Sequence, residues 1–352
     1  MSDPLALARP EIRALAAYRH AQWDPRLERL HANELPWRDA TDGAAAGLNR
    51  YPEPHPMALA AQLAALYGVD AGSALPCRGS DEAIDLLVRT FCAAGRDAVL
   101  TCPPTFDMYA VAALIQGAEV VSVPLARERG FALDVPAIAA HCGRGRVKLV
   151  FLCSPNNPTG NRLADDDVAQ VIAAARGRAL VVIDEAYLEF AGAASGARLI
   201  AAEPHVVVLR TLSKAHGLAG ARVGTLIADP RIVQLLRKVI PPYAIAQPSI
   251  EAAGRALSAG RQRETGIHIR VIVSERRRVA ADLARLPGVT RVWPSDANFL
   301  LVEFADAGRA LERLTAAGLL VRDCRGRAGL GEALRITIGS PSQNDRLLRS
   351  LS

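Results

Sequence analysis

The chain has 352 residues, half of them hydrophobic and 22% charged, a globular composition long enough for about two domains. Its apolar runs fall short of the ~18–20 residues of a membrane helix, and "MSDPLALARPEIR" lacks the basic start and apolar core of a signal peptide, so a cytoplasmic protein with no membrane partner is expected. The net charge of +6 is carried by dispersed arginines with only 5% aromatics, which argues against a nucleic-acid surface and leaves arginines to hold small anionic substrates.

Along the chain, the segment before about residue 40 stands outside any regular alternation. From about 75 to 240, apolar runs alternate with helical patterns. The runs are "DAVLTC", "AEVVSVPL", "VKLVFLC", "ALVVIDEAY", "HVVVLRT" and "RVGTLIAD". Between them lie stretches such as "SDEAIDLLVRTFCAAG", apolar at Ala83, Ile84, Leu86, Leu87 and Phe91. Continuous apolar strands separated by helices predict a mainly parallel sheet between helical layers. After "KVIPPYAIAQPS" the character changes to an Arg-rich helical region over 249–286. The shorter strands "TRVWPS", "NFLLVEF", "LLVRDC" and "ALRITIG" follow. The expected α/β organisation is a large unit over 41–245 and a smaller α/β unit from 246–352, joined by residues 1–40.

Six cysteines form no C-x-x-C pair and seven histidines no H-E-x-x-H, so reduced thiols are expected and no metal site. There is no P-loop and no G-x-G-x-x-G after a strand.

Ligands bind at the carboxyl ends of strands in such a sheet, and chemically loaded segments fall there. "CRGSDEAIDLL" puts Ser80 and Asp81 at a helix start, either an anion site or a helix N-capped by Ser80. "CPPTFDMYA" offers Phe106 and Tyr109, for stacking on a planar ligand or for the core. "CSPNNPTGN" is a rigid turn that presents the amide of Asn157. Asp184 ends the apolar run "ALVVID", where a carboxylate needs a cation or proton donor unless it caps the next turn, and Tyr187 follows three residues later.

The chain has only three lysines. Lys148 and Lys238 read as solvated surface, whereas Lys214 follows the apolar run 206–211, where burial raises the neutral, nucleophilic fraction of an amine. Ser213 and Arg222 beside it are phosphate-binding types. An amine, a buried Asp, a Tyr and Asn, an aromatic and an anion cradle together meet the requirements of pyridoxal phosphate, whose ring acts as an electron sink when its nitrogen is protonated.

These segments, with "HANELP", "LNRYPEP", "ANFLL", "VRDC" and "LRITIG", make the chain resemble the fold-type I pyridoxal-phosphate transferases. Within them it resembles the histidinol-phosphate aminotransferases, over essentially its whole length. The resemblance implies that Lys214 binds the cofactor covalently and serves as general base, while Asp184 pairs with its ring nitrogen. It implies further that Tyr187 and Asn157 hold the phenolic oxygen and Phe106 stacks on the ring. Ser213, Arg222 and the backbone of Ser80 and Asp81 would hold the phosphate. Tyr51 would reach the cofactor of a second subunit, which implies a homodimer with shared sites. Arg335, Arg322, Tyr18 and Asn33 match substrate-binding positions for a phosphorylated amine and for 2-oxoglutarate, with Arg322 also readable as one more surface arginine. Aromatic amino-acid transfer and threonine-phosphate decarboxylation are the neighbouring activities. A non-catalytic regulatory module would carry an added DNA-binding domain, and a non-catalytic binding protein would lack Lys214 or Asp184. His216 stands where the family often has an aromatic, Ala221 where it often has Leu, and Leu35 alters its "NENP" pattern.

Overall fold

The computed structural model describes residues 3–20, 23–24 and 26–352. Seven strands, β1 (Ala74–Cys77), β2 (Ala98–Thr101), β3 (Glu119–Ser122), β4 (Val147–Cys153), β5 (Leu180–Asp184), β6 (Val206–Thr211) and β7 (Gly224–Ile227), form one sheet. Their order is β1-β7-β6-β5-β4-β2-β3. Within it β7 runs against its neighbours β6 and β1, and the pairs from β6 through β3 are parallel.

Strands β5 and β6 are buried along their full length, as their unbroken runs of Val, Ile and Leu require. The sheet faces feed two separate apolar clusters. One holds Ile84, Leu87 and Phe91 of helix Gly79–Phe91. The other holds Ile138 and Ile172 from helices Val135–Gly143 and Asp165–Ala175. Strand β1 is absent from the runs read in the sequence. It has four residues, one of them Pro76, and proline is tolerated there because β1 is an edge strand.

The second sheet contains β8 (Val289–Val292), β9 (Phe299–Phe304), β10 (Arg322–Asp323) and β11 (Ala333–Thr337), antiparallel in the order β10-β11-β9-β8. Its two faces show period-2 segregation. Leu300, Val302, Leu334 and Ile336 pack with helices Ala259–Leu283, Ala307–Ala316 and Pro341–Leu351. Leu301 and Ala333 join the cluster under the large sheet instead, and Phe299 packs on Tyr187. By the same alternation Arg335, opposite Leu301 in register, faces the large sheet.

The Arg-rich region is two helices, Gln247–Ala256 and Ala259–Leu283, broken at the extended Ser258. The start of the N-terminal segment departs from the expected placement with the smaller unit. Leu7 and Ala8 sit in the core of the large sheet, and the Arg9 N–H donates to the Thr90 carbonyl at 3.1 Å.

Candidate active site

The carboxyl ends of β4, β5 and β6 and the start of helix Gly79–Phe91 open onto one cavity of about 320 Å³. Asp184, the last residue of β5, lies at its floor, 3% exposed and flanked in register by Cys153 and Leu209. The Tyr109 hydroxyl donates to Asp184 Oδ2 at 2.7 Å and the Ala186 N–H donates to Oδ1 at 3.1 Å. Burial pushes the Asp184 carboxyl up to about 6 despite both donors, so the site is built to be completed by a positive charge. Tyr109 is itself fully buried, stacked on Phe151 at 4.6 Å and edge-on to Phe106 at 5.6 Å.

Lys214 follows β6 by three residues and is reached from the cavity, its Nζ 5.6 Å from the Tyr187 ring centre. Burial lowers its pKa, and the neighbouring Arg335 charge adds to the effect. Burial also holds the Tyr187 hydroxyl in its neutral, donating form. Asn157 accepts a hydrogen bond from Arg335, whose guanidinium lies 5.3 Å from the Phe299 ring centre.

At the other end, the N-cap of helix Gly79–Phe91, Arg78, caps none of its first-turn N–H groups with its side chain, and among backbone N–H groups Glu82 accepts only from that of Arg78, at 2.6 Å. Ser80 is the helix's second residue and not the N-cap. The first-turn N–H groups are therefore open to an anion. Arg222 reaches over them, donating to Asp81 Oδ2 at 2.9 Å and to Ser213 Oγ at 3.4 Å. Ser213 is fixed in turn by its N–H, which donates to Thr211 Oγ1 at 3.1 Å. The approach is possible because two positions lack side chains. A Cβ on Gly224 would lie 2.5 Å from the Ser80 nitrogen, and one on Gly79 (φ +78°) 2.6 Å from the Arg222 guanidinium.

Arg322 and Arg335 stand directly opposite each other on β10 and β11, and both line the cavity. Like charges facing across strands are unfavourable without an anion between them. An arginine pair, a buried carboxylate, an amine and an uncapped helix start around one cavity fit a phosphorylated aromatic cofactor together with an anionic substrate.

The structure thus gathers Ser80, Asp81, Phe106, Asn157, Asp184, Tyr187, Ser213, Lys214, Arg222, Arg322 and Arg335. It leaves Tyr18 (70% exposed), Tyr51 (50% exposed) and Asn33 away from that lining. Sequence reasoning missed the hydroxyl of Tyr109 as the Asp184 donor, Arg327 and Asp107 in the lining, and the need for glycine at 224. No local signal marks the first, because Tyr109 meets Asp184 across 75 positions of sequence.

The aminotransferase class I and II family pattern matches residues 26–351. The histidinol-phosphate aminotransferase of Stenotrophomonas maltophilia is 48% identical over 361 residues, covering 100% of this chain and 97% of that protein. The crystal structure of histidinol-phosphate aminotransferase from Sinorhizobium meliloti in complex with pyridoxal-5'-phosphate superposes with a TM-score of 0.77 at 29% identity, covering 87% of this chain and 83% of that one. The L-threonine-O-3-phosphate decarboxylase of Porphyromonas gingivalis shares the fold, with a TM-score of 0.73 at 24% identity over 86% of this chain and 90% of that one.

Proposed function

The chain belongs to the aminotransferase class I and II family, and we propose that it transfers the amino group of L-histidinol phosphate to 2-oxoglutarate, giving imidazole-acetol phosphate and L-glutamate for histidine biosynthesis. The observation that carries the substrate reading is the facing pair Arg322 and Arg335 above a cavity that also holds Lys214 and Asp184. A planar guanidinium fork pairs with phosphate and with carboxylate, so one site serves both substrates.

The cofactor is pyridoxal phosphate, and the residues present fit it. When bound, it supplies an electron sink for the bonds of the substrate's amine-bearing carbon. Asp184 Oδ2 and Oδ1, held by Tyr109 and Ala186, keep a proton on the ring nitrogen. Tyr187 and Asn157 orient the phenolic oxygen, and Phe106 covers the ring. Ser213, Arg222 and the open first turn of helix Gly79–Phe91 take the phosphate. Lys214 Nζ would hold the cofactor and, as a free amine, would take the proton from the substrate's amine-bearing carbon. Its lowered pKa favours the neutral amine this step needs.

A homodimer in the cytoplasm is part of the same proposal. Tyr18, Leu30, Leu35, Trp37, Leu48 and Tyr51 form an exposed apolar run early in the chain, which supports a protein contact there. Tyr51 stacks on Tyr243 at 4.7 Å on that surface, which supports a role for it toward a second copy. Asn33 and Tyr18 would complete the substrate site. The cofactor-holding unit is taken as 41–245. All six cysteines are buried and unpaired, which suits a reducing compartment, and no described helix is long and apolar enough to cross a membrane.

The test compares histidinol phosphate with unphosphorylated histidinol, phenylalanine and histidine as amino donors to 2-oxoglutarate. Preference for the phosphorylated amine by at least about a hundredfold in kcat/KM is expected. Preference for an unphosphorylated donor, or release of carbon dioxide without an amino acceptor, rejects the reading.

A further inference from the structure

Arg327 is one of four arginines in the lining of the cavity, with Arg222 at the helix start and Arg322 and Arg335 on the small sheet. It sits in the turn between β10 and β11, which contains Gly326, Gly329 and Gly331, all at positive φ with no atom near their missing side chains. The base of this turn is held: the Cys324 N–H donates to the Ala333 carbonyl at 3.0 Å, and Arg127 donates to the Gly329 carbonyl at 2.7 Å while pairing with Glu303 at 2.8 Å. The Arg327 side chain reaches across to the large sheet's side and pairs with Asp107, the residue next to Phe106. This ion pair is the wall between the main cavity and a second one of about 260 Å³ lined by Pro103, Pro104 and Val120.

The Asp107 side chain is 63% exposed. An ion pair with one partner so open to water contributes little to stability and exchanges readily. In the same cavity Arg322 and Arg335 have no carboxylate partner within ion-pair distance among the described residues. Two arginines suffice for one carboxylate group, whereas a phosphate monoester concentrates up to two charges and three acceptor oxygens on one group near neutral pH.

We propose that Arg327 is a specificity-determining residue that leaves Asp107 for the substrate's phosphate and stays with Asp107 when a carboxylate substrate is bound. The inference rests on the reading of this cavity as one that accepts a phosphorylated amine. Asp107 acts as the counter-ion that keeps the Arg327 charge from trapping the dicarboxylate, and the glycine turn allows the guanidinium to swing.

The test uses holoenzyme of wild type, Arg327→Gln, Arg327→Lys and Asp107→Asn. Steady-state kinetics gives the ratio of kcat/KM for histidinol phosphate to that for glutamate. Competitive inhibition gives the Ki of inorganic phosphate. Arg327→Gln lowers the ratio at least about tenfold, mainly through the KM of histidinol phosphate, and weakens inorganic phosphate by a similar factor. Arg327→Lys recovers part of both, and Asp107→Asn lowers the Ki for inorganic phosphate severalfold. An unchanged ratio in Arg327→Gln, a parallel loss with both donors, or weaker phosphate inhibition in Asp107→Asn overturns the inference. A wild type indifferent to the phosphate of its amino donor instead overturns the functional reading beneath it.

Discussion

Tyr109 donates a 2.7 Å hydrogen bond to Asp184 from a ring with no exposed surface, so the carboxylate at the cavity floor is oriented from inside the core. A charge-assisted bond of this kind contributes about 1.5–3 kcal/mol. Tyr109→Phe keeps the stack on Phe151 and removes only the donor. The expected result is a fold and Tm close to wild type and a cofactor dissociation constant raised about tenfold or more. Absorbance titration of cofactor-free protein with pyridoxal phosphate measures it. Unchanged affinity would show that Asp184 is held by Ala186 alone.

Burial at Asp184 also sets a pH dependence. Its pKa is pushed up to about 6 in the folded chain from the ordinary 3.8, so the folded state binds the proton more tightly than the unfolded one. Stability from this group is full below pH 4 and lost as pH rises to about 6, a cost of about 3 kcal/mol at neutral pH. For cofactor-free protein, Asp184→Asn therefore raises Tm at pH 7.5, by several degrees, and by less at pH 5. Bound cofactor reverses the order at pH 7.5, because the substituted amide offers no charge to the ring nitrogen. Calorimetry at both pH values, with and without cofactor, decides. A Tm gain equal at pH 5 and 7.5 would mean that the Asp184 charge is compensated without the cofactor.

The proposed phosphate cradle depends on missing atoms. Gly224→Ala places a methyl 2.5 Å from the Ser80 nitrogen, a backbone contact that no rotamer change relieves. A loss of about 1–3 kcal/mol in stability is expected, with a further loss in cofactor affinity as the helix start is pushed away from Arg222. Gly220→Ala, in open space on the same loop, is the control and stays within about 0.5 kcal/mol. Equal effects of the two substitutions in urea titrations would remove the argument from close approach.

Most of the large sheet was legible because its strands are buried on both faces and read as unbroken apolar runs; "VKLVFLC" is β4 residue for residue. Strand direction was not legible. β7 reads like the parallel strands of the sheet, and its reversal against β6 follows from where the chain enters after the Lys214 loop, which periodicity does not record. β1 escaped because four residues with a proline carry no period. The site was legible wherever a polar residue interrupts an apolar end, as at Asp184 and Lys214. It was not legible where the role depends on a partner distant in sequence. Tyr109 meets Asp184 across 75 positions, and Arg327 meets Asp107 across 220. Among so many arginines, nothing local marks Arg327.

His216, two residues past Lys214, occupies the position that sequence left unexplained. Its side chain is 3% exposed, with Nε2 4.0 Å from Glu189 Oε1 and Nδ1 3.4 Å from the Gln262 amide. Glu189 is already engaged by Arg210 at 2.7 Å, and Arg210 also pairs with Glu185. Burial lowers the His216 pKa, Glu189 opposes the shift and Arg210 reinforces it, so the folded chain holds a neutral imidazole. A histidine with a depressed folded pKa binds fewer protons folded than unfolded. Its contribution is therefore full above pH 6.5 and lost as pH falls through the folded value. His216→Phe, which fills the same buried space without a titrating group, should lose less stability than wild type between pH 7.5 and 5. Near pH 7.5 the two should differ by no more than about 1.5 kcal/mol, the range of a volume-conserving core change. Urea unfolding of both proteins at the two pH values measures the slope. If wild type instead gains on the variant as pH falls, the Glu189 carboxylate outweighs burial and His216 is a charged member of the Glu185–Arg210–Glu189 network.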